Sequence, residues 1–98
     1  MHVVEAGGAR IPLVGFGTWE LRGARCARLV EQALRLGYRH IDTAEMYGSG
    51  ASERLVSRLD RASIVLGSKV LPQNAGRSGT VAACERSLAR LGTDRLDC

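Results

Sequence analysis

Apolar and polar positions along the chain fall into short blocks that switch between strand-like and helix-like spacing. His2–Glu5 reads as a strand, and Ala6-Gly7-Gly8-Ala9 supplies the positive φ angles that a hairpin turn needs. Arg10–Phe16 predicts a second strand run, with Pro12 marking an edge or a strand start. Gly15 and Gly17 bracket Phe16, and the loop Thr18-Trp19-Glu20 follows. From Ala24 to Leu36 the apolar residues Cys26, Leu29, Val30, Ala33 and Leu36 recur at helical intervals, and Gly37 stands where a left-handed C-cap belongs. Tyr38–Thr43 predicts a short strand. A loop through Met46–Gly50 leads to a second helix over about Ala51–Asp60, carried by Leu55, Val56 and Leu59, with Ser49 or Ser52 as its cap. Ser63–Val70 is nearly all apolar, the pattern of a strand buried on both faces of a parallel sheet. After a loop at Pro72–Gly76, Ser78 is the expected N-cap of a third helix with Val81, Cys84, Leu88 and Leu91 on one face. Gly92 closes that helix, and Thr93–Cys98 begins another strand.

The blocks repeat. Leu34–Asp42 echoes Leu88–Asp97 in pattern, and the predicted strand ends Gly15, Asp42, Lys69 and Asp97 are spaced by 27, 27 and 28 residues. A strand–helix unit at this period means β/α repeats around a parallel sheet, either doubly wound and open or part of an eightfold barrel. The open-sheet option lacks its nucleotide fingerprint: Gly15-Phe16-Gly17 is followed by Thr18-Trp19-Glu20, and Gly48-Ser49-Gly50 by Ala51-Ser52-Glu53. The expected fold is therefore α/β: an N-terminal hairpin and about three β/α units, the N-terminal part of a (β/α)8 TIM barrel.

Composition narrows the classes without changing that picture. The 98 residues carry 14 Lys plus Arg against 10 Asp plus Glu, with 45% hydrophobic residues, an ordinary globular mixture. One small domain, residues 1–98, is what this length allows. No apolar run approaches the roughly 20 residues that span a bilayer, and the N-terminus is too polar for a signal peptide. The net charge of +4 invites a nucleic-acid partner, but the arginines are scattered and alternate with Glu31, Glu53 and Glu85, as on solvated helix faces. Three cysteines without close spacing argue against a disulfide framework or a zinc site, so no metal is expected and a cytoplasmic, reducing compartment is. Cys26 and Cys84 are expected to be buried structural thiols, and Cys98 an exposed one.

In a β/α barrel the chemistry sits at the C-terminal ends of the strands. Here those ends carry Thr18-Trp19, then Asp42 with Tyr47 just beyond, then Lys69. A lysine charge at the edge of a buried strand needs a partner, and Asp42 on the adjacent strand is the obvious one. A cation near a phenol favours the phenolate, lowering its pKa from about 10, and a phenol so tuned can donate a proton to a carbonyl oxygen. Reduction of an aldehyde or ketone would suit, with the hydride coming from a cofactor. The plainer alternative is a rim salt bridge beside an unrelated tyrosine. His40 shares strand parity with Asp42 and is expected to point inward below the rim as a hydrogen-bonded histidine.

Gly37-Tyr38-Arg39-His40-Ile41-Asp42-Thr43-Ala44-Glu45-Met46-Tyr47-Gly48 resembles the signature of the aldo-keto reductases. Ile11–Trp19 is similar to that family's first hairpin and strand, Leu66–Val70 to its third strand, and Ser87–Asp97 to its third helix and fourth strand. The resemblance implies an NADP(H)-dependent oxidoreductase that reduces small-molecule carbonyl compounds to alcohols. By position, Tyr47 matches the proton donor, Lys69 the lysine that tunes it, and Asp42 the aspartate that pairs with the lysine and approaches the nicotinamide ribose. Trp19 matches an aromatic residue at the nicotinamide and substrate pocket, with Thr18 beside it in the cofactor loop.

The family's histidine, expected shortly after the Leu96-Asp97 pair, falls beyond Cys98, as does the half of the barrel that carries most cofactor contacts. The 98 residues alone are accordingly expected to be inactive and to bind no NADPH at micromolar concentration. The alternative function is a non-catalytic barrel remnant, or interaction module, that associates with another chain through its open sheet edge.

Overall fold

In the computed structural model, which describes residues 2–98, the element order is β1 (Val3–Ala6), β2 (Ala9–Pro12), β3 (Gly15–Gly17), α1 (Gly23–Arg35), β4 (His40–Asp42), α2 (Ala51–Val56), β5 (Val65–Gly67) and α3 (Arg77–Leu91). Single 3-10 turns stand at Tyr47–Gly50, Arg61–Ser63 and Pro72–Asn74. β1 and β2 form the expected antiparallel hairpin, with Ala6 opposite Ala9. Gly7 and Gly8 have φ of +55° and +83°, the mirror-image turn whose twist matches the flanking strands.

β3, β4 and β5 form a parallel sheet in sequence order, with α1 packed on α2 and α2 on α3. A doubly wound sheet reverses its strand order at a switch point. Each strand here is added on the same side as the chain advances, which is the barrel alternative. Among the described residues the sheet does not close.

The register explains which side chains are buried. Phe16, Ile41 and Leu66 lie in one row across the sheet. With Cys26 and Val30 of α1, Val56 of α2 and Leu91 of α3 they make the core, in which Ile41 is fully buried. The neighbouring rows, Gly15–His40–Val65 and Gly17–Asp42–Gly67, alternate with it and so take the opposite face. The hairpin residues Ile11, Pro12 and Leu13 border a concavity on that face with Gly15, His40 and Asp42.

Several expectations need correction. The parallel strands β3, β4 and β5 are three residues long, shorter than the apolar runs. Ser63 belongs to a 3-10 turn, where Asp60 accepts from Ala62 N–H at 3.3 Å and from the Ser63 hydroxyl at 2.6 Å. The segment Thr93–Cys98 forms no strand, although part of it bonds to β5. Asp97 N–H donates to Leu66 O at 2.8 Å and Ser68 N–H to Cys98 O at 3.1 Å, while the Asp97 carboxylate takes the Leu66 N–H at 2.8 Å.

α2 ends at Val56 and is capped by Gly50 rather than by a serine side chain. Leu36 lies past the end of α1 and is exposed. α3 buries Ala83, Ser87 and Leu91, leaving Val81 and Cys84 exposed. Its inward face carries small residues, and charged pairs described below fill the space that larger apolar side chains would take. His40 is only half-buried, and its ring makes no hydrogen bond among the described residues. No described helix is long and apolar enough to cross a membrane.

Candidate active site

Asp42 is the only side chain in its row, because its neighbours in register are Gly17 and Gly67. A Cβ on Gly17 would meet nothing within 4 Å, whereas one on Gly67 would stand 3.5 Å from Asp42 Oδ1. The open space beside the carboxylate therefore lies at Gly17, since Cys98 Sγ stands 3.3 Å from the same position on Gly67. Thr18 anchors the end of β3. Its N–H donates to Asp42 O at 3.0 Å and its buried hydroxyl to Thr43 Oγ1 at 3.0 Å.

The expected trio comes together. Lys69 Nζ donates to Asp42 Oδ2 at 2.6 Å and to Thr43 O at 3.1 Å, and lies 5.5 Å from the centroid of the Tyr47 ring. Asp42 and Lys69 side chains are 40% and 51% exposed, so this pair contributes at most about 1 kcal/mol to stability. Its importance is orientation. Asp42 Oδ1 accepts no hydrogen bond from any described residue and is free for a ligand hydroxyl. Trp19 sits in the turn after β3, two-thirds exposed, and no hydrogen bond ties it to the trio among the described residues.

The loops that carry Tyr47 and Lys69 are zipped together by backbone. Thr43 N–H donates to Gly67 O at 2.9 Å, and Glu45 N–H to Lys69 O at 3.1 Å. Directly after Tyr47 the chain turns through Gly48, Ser49 and Gly50 with φ of 58°, 54° and 93°. Three consecutive left-handed residues reverse the chain into α2 within one turn. Glycine at two of the three keeps the strain to Ser49.

Sequence reasoning missed the ionic frame beneath the trio. Glu53, fully buried, accepts from Arg90 Nε at 2.7 Å and from the Ser68 hydroxyl at 2.8 Å. The carboxylate of Glu45 accepts from Leu71 N–H at 2.9 Å, Asn74 Nδ2 at 3.3 Å and Arg86 at 3.2 Å, with Arg90 3.9 Å away. The Leu71 N–H, aided by Asn74 and Arg86, outweighs desolvation and holds Glu45 below the usual carboxylate range. Burial works against the Asp97 carboxylate, but Leu66 N–H, Arg61 and Arg95 overcome it and hold Asp97 low as well. Nothing in the sequence set this frame apart: Glu45 stands between Asp42 and Tyr47, but its partners Arg86 and Arg90 lie 41 and 45 residues further on. Among the described residues no group of His, Cys, Asp and Glu is placed to hold a metal.

Residues 13–98 match the Aldo/keto reductase family. Methylglyoxal reductase YeaE of Escherichia coli (strain K12) is 42% identical over 100 residues, covering 94% of this chain and 35% of that protein. An aldo/keto reductase from Klebsiella pneumoniae, solved in complex with NADP and acetate, is 44% identical with a TM-score of 0.74, covering 92% of this chain and 35% of that one. The thermostable aldo-keto reductase Tm1743, solved with the inhibitor epalrestat, superposes with a TM-score of 0.84 at 33% identity, covering 98% of this chain and 40% of that one. The chain thus spans about a third of the length of the proteins it matches. By its matching residues, its sheet order and these likenesses, the chain belongs to the aldo-keto reductase family.

Proposed function

We propose that these residues form the proton-delivery side of a cytoplasmic NADP(H)-dependent reductase that converts small aldehydes or ketones to alcohols. The observation that carries the reading is Lys69 Nζ, fixed by Asp42 at 2.6 Å and poised 5.5 Å from the Tyr47 ring centroid. The three free thiols accord with a reducing compartment.

The residues present fit the cofactor. The open position at Gly17 leaves room beside Asp42, whose Oδ1 is an unengaged acceptor suited to a ribose hydroxyl. Trp19 offers an exposed indole face for the nicotinamide or for an apolar part of the substrate. Thr18 contributes through its backbone and its buried hydroxyl, which fix the loop carrying Trp19 rather than reach outward. Bound NADPH supplies the hydride that goes to the carbonyl carbon.

Tyr47 then has one task, to orient the carbonyl oxygen and give it a proton as charge develops there. The phenolate left behind sits beside the Lys69 ammonium, which stabilises it until a proton returns from solvent. Asp42 keeps that ammonium in place. Methylglyoxal, the substrate in the name of the Escherichia coli relative, is a suitable first probe.

In the protein as the cell produces it, Tyr47→Phe should lower NADPH-dependent methylglyoxal reduction by roughly 100-fold or more, the usual contribution of a positioned acid. An unchanged rate would rule out Tyr47 as the donor. A second reading is favoured by the sheet's outer edges, unpaired at β3 among the described residues: a non-catalytic module that pairs its sheet with another chain. It predicts a stable dimer without reductase activity in either the wild type or the variant.

A further inference from the structure

We propose that Glu45 is a positioning residue for the Tyr47–Lys69 pair, holding the loop after β4 and the loop after β5 in one register; the inference rests on the reductase reading of that pair. Tyr47 and Lys69 reach the site from different loops, so their spacing depends on whatever fixes one loop against the other. The Asp42–Lys69 ion pair fixes the tip of a long, half-exposed side chain but not its root. Glu45 fixes the root. Its N–H binds the carbonyl of Lys69 at 3.1 Å, and its carboxylate binds the N–H of Leu71 at 2.9 Å. One residue therefore grips the chain on both sides of Val70, immediately after the lysine.

The grip is stiff because it is enclosed. The Glu45 side chain is 9% exposed and is met from α3 by Arg86 at 3.2 Å and Arg90 at 3.9 Å, and from the Pro72–Asn74 turn by Asn74 at 3.3 Å. Arg90 in turn binds Glu53 of α2, which accepts from the Ser68 hydroxyl next to Lys69. A carboxylate carrying this many charge-assisted bonds stays ionised, in keeping with its lowered pKa. Two residues further on, Tyr47 N–H closes on Ala44 O at 3.2 Å, so the tyrosine inherits the position of the Glu45 backbone.

The test is a double-variant cycle read at Tyr47 by NMR of labelled tyrosine rings in the full chain. The chain has two tyrosines, and Tyr38, packed edge-on against Phe16 at 6.1 Å, is the internal reference. Lys69→Met should shift the Tyr47 ring resonances and leave those of Tyr38 in place. In the Glu45→Ala background the same replacement should shift Tyr47 less than half as far, with Arg86→Met giving an intermediate loss. A full shift in folded Glu45→Ala protein would overturn the proposal and leave Glu45 as a stabilising residue only. Should Glu45→Ala lose its helical circular dichroism, Arg86→Met carries the test, and a full Tyr47 shift in that folded background overturns the proposal. No shift on Lys69→Met with Glu45 intact would overturn the reductase reading of the pair itself, and this inference with it.

Discussion

At the scale of single residues, the ion pairs divide into those that stabilise and those that orient. Glu53 is fully buried with Arg90 as its charged partner, and removing one member of a buried pair leaves the other uncompensated. Glu53→Ala should therefore cost about 3 kcal/mol or more, read as a lower urea midpoint. Replacing Lys69, half-exposed in its pair with Asp42, should cost about 1 kcal/mol or less. The residues proposed to carry the chemistry stood out in the sequence because they stand near strand ends and within a recognisable motif. Glu45, Glu53, Arg86 and Arg90 were not, since nothing in a linear pattern tells a buried ion pair from a solvated charged face. The spacing that puts Arg86 and Arg90 one turn apart on α3 looks the same in either case.

At the scale of elements, α3 shows how close approach replaces apolar volume. A Cβ on Gly79 would lie 2.5 Å from the Asn74 carbonyl oxygen, so α3 meets the Pro72–Asn74 turn through bare backbone. Gly→Ala in a helix interior ordinarily stabilises by up to about 1 kcal/mol. At Gly79 the sign should reverse, with a loss of about 1–3 kcal/mol from overpacking, seen as a lower melting temperature.

This packing also explains the misread faces. Val81 and Cys84 satisfied an apolar stripe, yet the side that meets the sheet is Ala83 and Ser87, small enough to admit the arginine–carboxylate frame. The helix at Gly23–Arg35 was read well because its buried face is Cys26, Val30 and Ala33, residues that periodicity detects. β5 came out shorter than its apolar run in part because Asp60 draws Ser63 into a 3-10 turn, and the Asp97 carboxylate takes the Leu66 N–H that a ladder with Thr93–Cys98 would have used.

The same frame sets the acid response. Glu45 and Asp97 have pKa values lowered in the folded chain. A lowered carboxylate stabilises the fold fully above its unfolded pKa, about 4.3 for Glu and 3.9 for Asp, and that stability is lost as the pH falls through the folded values. Urea midpoints should thus be flat from pH 7 to 5 and drop below about pH 4, less steeply in Glu45→Gln. An equal slope in the variant would remove Glu45 from the account.

For the molecule as a whole, the period of 27 to 28 residues pointed to the parallel sheet. Two of its strand ends were misplaced: Gly15 opens β3 and Lys69 lies two residues past β5, so the positions in register with Asp42 are Gly17 and Gly67, 25 residues to either side. Periodicity could not convey what the strand rows do on the face away from the helices. There Gly17 and Gly67 flank Asp42, a fact of register that emerges only once the three strands are aligned. That alignment leaves the space at Gly17 open beside Asp42, and the loops zipped beyond it bring Lys69 over Tyr47. Fold and site are in this sense one object: the sheet order that distinguishes a barrel segment from a doubly wound sheet also sets Lys69 beside Asp42.

The proposed role of the Lys69 cation, placed by the sheet, is to make Tyr47 the proton donor. Its most direct test is the turnover of methylglyoxal by Lys69→Met protein at saturating NADPH, with the KM for NADPH measured alongside. Turnover should fall roughly 100-fold or more, with that KM within about threefold of wild type and the urea midpoint nearly unchanged. Turnover within a few-fold of wild type would contradict it, and would leave the Asp42–Lys69 contact as a rim salt bridge beside an unrelated tyrosine.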